Sequence, residues 1–319
     1  MNAKISAVAL GLMLAYGFNG AMAAGTAKTT QDGTSNAAYT EQNGVDSAST
    51  ATVTQFGFGN QAGKPDEKTG GVYQKEGQNV DATLTQRGTY NLGAITQIAS
   101  KNTSGQINQI GFGNGASINQ DQAKTTAGSI DQTGGEQNGA RILQVKTEDT
   151  GGLVIQYGSY NGAMVSQDTV LQASANVNSS GSSNQATLSQ KDGIGQTSVI
   201  TQGGNSNYAK TTQTGHYQYS GVRQYGNGND AIVKQSGTNN YSDAYQQGSS
   251  NFATVDQSGT FSDSAITQNG FSNDASVTQV GTATSYNMRN VSVVAQAGSG
   301  HNTIVMQTGA ANRAGVNQR

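Results

Sequence analysis

Glutamine is the residue whose spacing carries chemistry in this chain. From Gln86 to Gln279 a glutamine, replaced once by Ser179, recurs every 11 or 12 residues. A side-chain amide donates hydrogen bonds through its nitrogen and accepts them through its oxygen, so stacked amides can satisfy one another. The spacing therefore predicts non-covalent chemistry, in which copies of one repeat hydrogen-bond to the next.

Residues that perform covalent or metal chemistry are scarce. The chain has no cysteine, and its two histidines, His216 and His301, fall at turn positions without clustered acids. Its 17 basic and 19 acidic residues nearly balance, which is unlike the basic surface of a nucleic-acid-binding protein. We expect no enzymatic activity, no catalytic residue, no metal site, no cofactor and no nucleic-acid partner.

The glutamines are the anchors of a longer pattern, Ala-x-(Val/Ile)-x-Gln-x-Gly-x-x-Asn-x-Ala. Of 24 anchor positions, 21 follow a Val, Ile or Leu by two residues, and 17 precede a Gly by two residues. Apolar residues that alternate with polar ones indicate a strand with one buried face. The Gly and Asn that follow are typical of turns, because they tolerate positive φ.

Strand, turn, strand and turn return the chain to its starting point, so two anchors make one coil, or rung. The sequence predicts an all-β fold, a parallel β-solenoid of about 12 rungs of 22–24 residues with two strands each. The repeat continues to Gln318, which predicts an open end that pairs with another copy of the chain.

Three sets of residues are the candidate site of this polymerisation. The amide ladders are predicted to contain Gln202, Gln213, Gln224, Gln235, Gln246, Gln257, Gln268, Gln279, Gln296, Gln307, Gln318, Asn229, Asn240, Asn251 and Asn273. The turns are predicted at Gly226, Gly237, Gly248, Gly259, Gly270 and Gly281. The core is predicted to contain Val233, Val255, Ile266, Val277, Val305 and Val316. Gln196 and Gln218 fall outside the anchor spacing and are expected outside the ladders.

The N-terminus has the pattern of a secretion signal. A short basic start, an apolar run over residues 5–18 and Ala21-Met22-Ala23 predict a signal peptide at 1–23. Residues 24–41 are expected to form an N-terminal segment, a candidate disordered secretion tag, and 42–319 the repeat solenoid. The apolar run is too short to cross a bilayer, so we expect a secreted protein without a membrane span.

The repeat resembles that of the curlins, the subunits of extracellular amyloid fibres called curli. The family pattern Gln-x-Gly-x-x-Asn-x-Ala-x3-Gln is matched by residues 156–167, 224–235 and 268–279. The resemblance implies passage through an outer-membrane secretion pore and assembly, started by a nucleator subunit, into a homopolymer. Such a pilus-like or fimbrium-like fibre belongs to a biofilm matrix and serves adhesion at the cell surface. This chain has about twice the repeats of the familiar five-repeat subunits, and residues 24–43 are not the expected Gly-rich tag.

Two questions of role stay open in the sequence. Regular central rungs favour a main fibre subunit, whereas the Gln318-Arg319 end resembles the nucleating minor subunit. Thr52/Thr54 and Thr83/Thr85 resemble the flat threonine arrays of ice- or surface-binding solenoids, but such pairs do not persist from rung to rung.

Acidic and aromatic residues outside the core also have two interpretations. The acids could slow premature aggregation or be plain solvated residues; they are Asp230, Asp243, Asp256, Asp263 and Asp274. The tyrosines could form an exposed face that binds a partner or dye, or pack at solenoid corners; they are Tyr217, Tyr219, Tyr225, Tyr241 and Tyr245.

Overall fold

The computed structural model describes residues 25–62 and 71–319. Its strands belong to two compact units, which divide between Asp149 and Thr150. The sequence predicts one repeat domain over 42–319, whereas the structure has these two units. The predicted signal peptide, 1–23, lies outside the described residues.

The first unit contains twelve strands in its described residues. They are β1 (Thr26–Thr34), β2 (Ala37–Ala38), β3 (Thr40–Asn43), β4 (Thr50–Phe58), β5 (Gln61–Ala62), β6 (Gly71–Lys75), β7 (Gln78–Thr89), β8 (Leu92–Ile98), β9 (Lys101–Phe112), β10 (Gly115–Asp121), β11 (Ala127–Glu136) and β12 (Gly139–Val145). One sheet has the order β1-β4-β7-β9-β11, and the other contains β2-β5-β8-β10-β12, with β6 pairing β3 and β8.

The second unit contains fifteen strands and one short 3-10 helix. They are β13 (Gly151–Ser159), β14 (Gly162–Leu171), β15 (Ser174–Ser182), β16 (Gln185–Ile194), β17 (Thr197–Asn205), β18 (Tyr208–His216), β19 (Tyr219–Asn227), β20 (Asp230–Thr238), β21 (Tyr241–Ser249), β22 (Phe252–Thr260), β23 (Ser262–Phe271), β24 (Asp274–Thr282), the 3-10 helix (Tyr286–Met288), β25 (Asn290–Ser299), β26 (Asn302–Gly309) and β27 (Arg313–Gln318). Odd-numbered strands follow one another in one sheet, and even-numbered strands in the other.

In the second unit each strand pairs in parallel with the strand two positions along the chain. In β20 and β22, Ala231 pairs with Ala253 and Val233 with Val255, so residues at equivalent positions of the repeat lie opposite one another. The alternating side chains place Ala, Val or Ile, and Gln between the two sheets, because successive residues of a strand point to opposite faces. The predicted fold class, a parallel β-solenoid of about 12 turns, is confirmed.

The paired strands begin earlier in the chain than the sequence predicts. β1 pairs with β4 over its whole length, from Thr26 with Thr50 to Thr34 with Phe58. The predicted boundary between residues 41 and 42 therefore falls after the first paired strand, inside β3. The pattern is hard to recognise here because Thr29 stands where later strands have Val, as its pairing with Val53 shows.

One coil of the second unit is longer than its neighbours. β24 ends at Thr282 and β25 begins at Asn290, and the intervening residues include the 3-10 helix. Strand pairing resumes in the same phase, with Gln268 opposite Gln296. The extra residues therefore lengthen a corner and leave the core pattern unchanged. None of the helical structure within residues 25–62 and 71–319 is long and apolar enough to cross a bilayer.

Candidate functional site

From Gln202 onwards the anchor glutamines form two continuous ladders inside the second unit, and Ser179 takes the anchor position one coil before Gln202. In each step the Nε2 amide of one glutamine donates to the Oε1 oxygen of the glutamine one coil later, over 2.7–3.0 Å. One ladder contains Gln202, Gln224, Gln246, Gln268, Gln296 and Gln318, and the other contains Gln213, Gln235, Gln257, Gln279 and Gln307. All donors point the same way, towards later coils.

The second amide hydrogen of each glutamine joins the two sheets. Gln235 Nε2 donates to the backbone oxygen of Tyr219 over 2.8 Å, and Gln246 Nε2 to that of Asp230 over 2.9 Å. Gln235 is 1% exposed. A buried amide without partners would destabilise the fold, whereas this arrangement uses both of its hydrogens and its oxygen.

The first unit contains two glutamine ladders of the same kind. Gln31, Gln55, Gln86, Gln109 and Gln132 follow one another at 2.7–3.0 Å. Gln42, Gln74, Gln97, Gln120 and Gln144 do so at 2.7–2.9 Å. Gln31 lies outside the predicted repeat. Gly33 and Asn36 follow Gln31 at the spacing of the repeat, so the sequence did contain a signal for this earlier coil.

A column of asparagines occupies one corner and donates in the opposite direction. Asn251 Nδ2 donates to Asn229 Oδ1, and Asn273 Nδ2 to Asn251 Oδ1, each over 3.1 Å. The backbone N–H of each later asparagine donates to the same oxygen. Each Asn amide also donates to a glycine carbonyl, as Asn229 does to Gly248 over 3.1 Å. The column therefore fixes the corner backbone.

Asn240, which the sequence groups with Asn229 among the ladder residues, does not belong to this column. It lies at the other corner, where the residues stacked on it are Gln218 and Ser262. Its Nδ2 donates to the backbone oxygens of Ser236 and Gly259, over 2.8 and 3.4 Å. Consecutive anchor glutamines lie in opposite sheets, so the turns that follow them alternate between the two corners. Asn229 and Asn240 follow consecutive anchors and therefore lie at different corners.

Gln196 and Gln218 are also buried at this second corner, outside the glutamine ladders. Both are 0% exposed, and Gln196 Nε2 donates to the backbone oxygen of Gly215 over 2.7 Å. Their Oε1 oxygens are buried without a hydrogen-bond partner among the described residues. They serve the corner as Asn240 does, with a longer side chain.

The structure places five of the six predicted core residues fully inside. Val233, Val255, Ile266 and Val277 are 0–1% exposed, and Val305 is 6% exposed. Val316 is only half-buried, because its strand β27 pairs with β25 alone among the described strands.

The predicted turn glycines lie where the strands bend into the corners. Five of them, Gly226, Gly237, Gly248, Gly259 and Gly270, have φ between 86° and 130°. A Cβ on Gly226 would lie 1.9 Å from the backbone oxygen of Gly248 in the next coil. Glycine is required there both by the left-handed backbone and by the close approach of the next coil.

Gly281 differs from this prediction, since its φ is outside the left-handed region. The longer corner begins directly after it, at the end of β24. Its place is still narrow, because a Cβ would lie 2.2 Å from the Thr260 carbonyl oxygen.

The acids lie on outward or corner positions, and most are paired. Asp243 accepts from Arg223 over 2.5 Å, Asp256 lies 3.7 Å from Lys234, and Asp263 pairs with Arg289. Burial raises the pKa of Asp263, although Arg289 opposes that shift. Burial also raises the pKa of Asp230, whose Oδ1 is buried without a hydrogen-bond partner in the described chain.

The threonine pairs stack on only two neighbouring strands. Thr52 pairs with Thr83 and Thr54 with Thr85, but β9 continues these rows with Gln106 and Asn108. The threonine array is therefore two strands wide. Within the described ranges no three His, Asp or Glu side chains lie together as a metal site.

Parallel strands in strict register, internal amide ladders and glycine corners define a repeat protein of the β-solenoid class. The family model described as Curlin associated repeat matches residues 47–86, 204–237, 229–259, 237–270 and 250–281. These matched repeats support membership of the curlin family, as the repeat pattern indicated. No curated protein matches the chain.

Proposed function

We propose that the chain is a secreted structural subunit that self-assembles into extracellular curli-like fibres. The observation that carries the proposal is the one-directional glutamine ladder. Each coil presents amide donors to the coil after it and amide oxygens to the coil before it. A second copy can therefore continue the ladder only in the same direction and register.

The strand pairing supports the same proposal. In the second unit the last coils pair in parallel and in register, β24 with β26 and β25 with β27. The backbone N–H and C=O groups of such strands pair with a further strand of the same register, in the same chain or in another. A copy stacked in this register would extend the core columns that contain Val305 and Val316.

The curlin repeats support a fibre subunit, and we infer the main subunit in preference to the nucleator. The matched repeats overlap across residues 204–281, where the anchors are 11 residues apart. Regular coils favour elongation because every coil offers the next an equivalent template. Residues 1–23 act in this proposal as the signal peptide and 24–41 as a tag for the secretion pore. Roles in a biofilm matrix and in adhesion follow from the family.

Assembly of the purified chain tests the proposal. We expect thioflavin fluorescence to rise after a lag, preformed fibres to shorten the lag, and aligned fibres to diffract at about 4.8 Å along the axis. A chain that stays monomeric with and without seeds would contradict the proposal. If trace amounts of this chain shortened the lag of a second curlin subunit, while the chain alone formed no fibres, the nucleator interpretation would be favoured.

A further inference from the structure

An open cleft with aromatic walls lies at the second corner of the second unit, away from the ladders. Its volume is 330 Å³, and its aromatic lining consists of Tyr217, Tyr219, Tyr241, Phe261 and Tyr286. Asn239 and Asp263 add polar groups between the rings. We propose that this cleft binds a neutral, extended polysaccharide chain.

The walls of the cleft are columns of the solenoid itself. In successive coils Gln218 and Asn240 occupy the buried corner position. The residues just before this position form one row, with Tyr217 and Phe261, and those just after it form a second row, with Tyr219 and Tyr241. The Tyr219 and Tyr241 rings stack with centroids 4.8 Å apart and planes within 10°. Because the coils repeat in register, the rings follow one another along the stacking direction, which suits an extended chain.

Large rings at this corner come with a backbone cost. Tyr217 and Phe261 have φ of 51° and 54°, in the left-handed region that glycine tolerates best. One coil earlier the same corner position is Gly195. Tyr217 is nevertheless 59% exposed, so its ring is not needed to fill the core. Its exposed ring is therefore available to contact a ligand.

The long corner between β24 and β25 supplies the end wall of the cleft. Arg289 donates to the Asp263 carboxylate, and its guanidinium lies over the Tyr286 ring, 3.9 Å from the centroid. Tyr286 is 58% exposed. The ion pair therefore attaches the corner to the solenoid and orients an exposed ring at the end of the row.

Charge balance selects the class of ligand. The negative charge of Asp263 is matched by Arg289, and that of the neighbouring Asp243 by Arg223. The cleft therefore offers no uncompensated charge to a cation or to an anionic polymer. Tyrosine rings with amide, hydroxyl and carboxylate groups between them suit a ligand with apolar ring faces and a rim of hydroxyls. Neutral sugar rings have both features.

Binding of a neutral β-1,4-linked glucose hexasaccharide to the immobilised full chain tests the proposal. We expect Tyr286→Ala and Tyr217→Ala to weaken binding about fivefold or more, while Tyr286→Phe retains most of it. Tyr160→Ala is the matched control, because Tyr160 is 54% exposed at the other corner and outside the cleft. Circular dichroism of each variant reports whether the fold is intact.

Three results would overturn the proposal. They are no hexasaccharide binding, equal loss in Tyr160→Ala, or stronger binding of a hexa-uronate or of tetramethylammonium than of the neutral sugar. The test uses single immobilised chains, so its outcome does not depend on whether the chain forms fibres.

Discussion

At the scale of single residues, the buried glutamines are more than polar fillers. Each uses one hydrogen for the next coil and one for the opposite sheet, as Gln235 does with Gln257 and Tyr219. The same side chain therefore fixes the spacing along the stack and the distance between the sheets. A shift by one residue would break both bonds at every coil.

Removing one glutamine should damage two neighbours. In Gln235→Ala, the Gln213 amide loses its acceptor and the Gln257 oxygen loses its donor. Each buried group left without a partner costs about 1–3 kcal/mol. We expect a clearly longer assembly lag and a lower urea midpoint. Gln247→Ala is the control, because Gln247 is exposed on an outward position of β21. Equal lags for the two variants would remove the ladders from the account of assembly.

Asp230 should make stability depend on pH. Burial raises the pKa of its carboxyl in the folded chain, so folding favours the protonated form. This stability is fully present below the usual carboxyl pKa and is lost as the pH rises through the raised value. We expect Asp230→Asn to be more stable than the unchanged chain at neutral pH, with a difference that disappears in acid. Denaturation midpoints between pH 3 and 7 measure it, and a constant difference would contradict the explanation.

At the scale of strands and corners, the inward positions tolerate no charge. Val277 is 0% exposed and lies in register between Val255 and Val305. We expect Val277→Asp to destabilise its coil by several kcal/mol, because an unpaired charge would be buried. The control Thr278→Asp places the same charge on the outward face of β24. Thioflavin kinetics check both, and assembly of Val277→Asp at the normal rate would show the inward assignment to be wrong.

The glycine corners give a second prediction for strands. Gly248 has φ of 111°, and a Cβ would lie 2.0 Å from the Gly270 carbonyl oxygen. We expect Gly248→Ala to cost about 1–2 kcal/mol for the left-handed backbone alone, and more for the contact. Gly115→Ala is the control, because nothing lies within 4 Å of its added Cβ. Similar thermal midpoints for the two variants would argue against the close packing of corners.

Periodicity predicted the strands and the ladder partners, because a Gln anchor with Val or Ile two residues before it determines which face is buried. It did not predict β1, where Thr29 replaces the aliphatic residue, although Gln31 still joins the ladder. It did not assign Asn240, Gln196 and Gln218 to the second corner, since spacing alone does not distinguish the two corners. It grouped three cleft tyrosines with Tyr225 and Tyr245, because only the structure shows which rings Tyr286 approaches.

At the scale of the whole molecule, the coils differ in length but keep the ladders in register. The step from Gln224 to Gln246 is 22 residues, and that from Gln268 to Gln296 is 28, yet both keep the ladder intact. The difference is absorbed entirely at a corner. The core therefore requires a constant phase and not a constant number of residues.

Removing one whole coil should be tolerated. We expect deletion of residues 225–246 to leave a folded, assembly-competent chain, because Gln224 then precedes Gln247 as Gln246 does now. Deletion of 225–244 is the matched control, since it displaces the downstream pattern by two residues. Circular dichroism and seeding measure the outcome. Loss of structure in both variants would show that the coils are not interchangeable.

The opposed donation of the two kinds of amide has an electrical consequence. The side-chain oxygens of the glutamine ladders point towards earlier coils, whereas those of the asparagine column point towards later ones. The backbone of a sheet adds only a small net dipole. Part of the dipole moment of the side-chain amides therefore cancels along the stacking direction. Polymers of such coils should align only weakly in an electric field, which transient electric birefringence would measure.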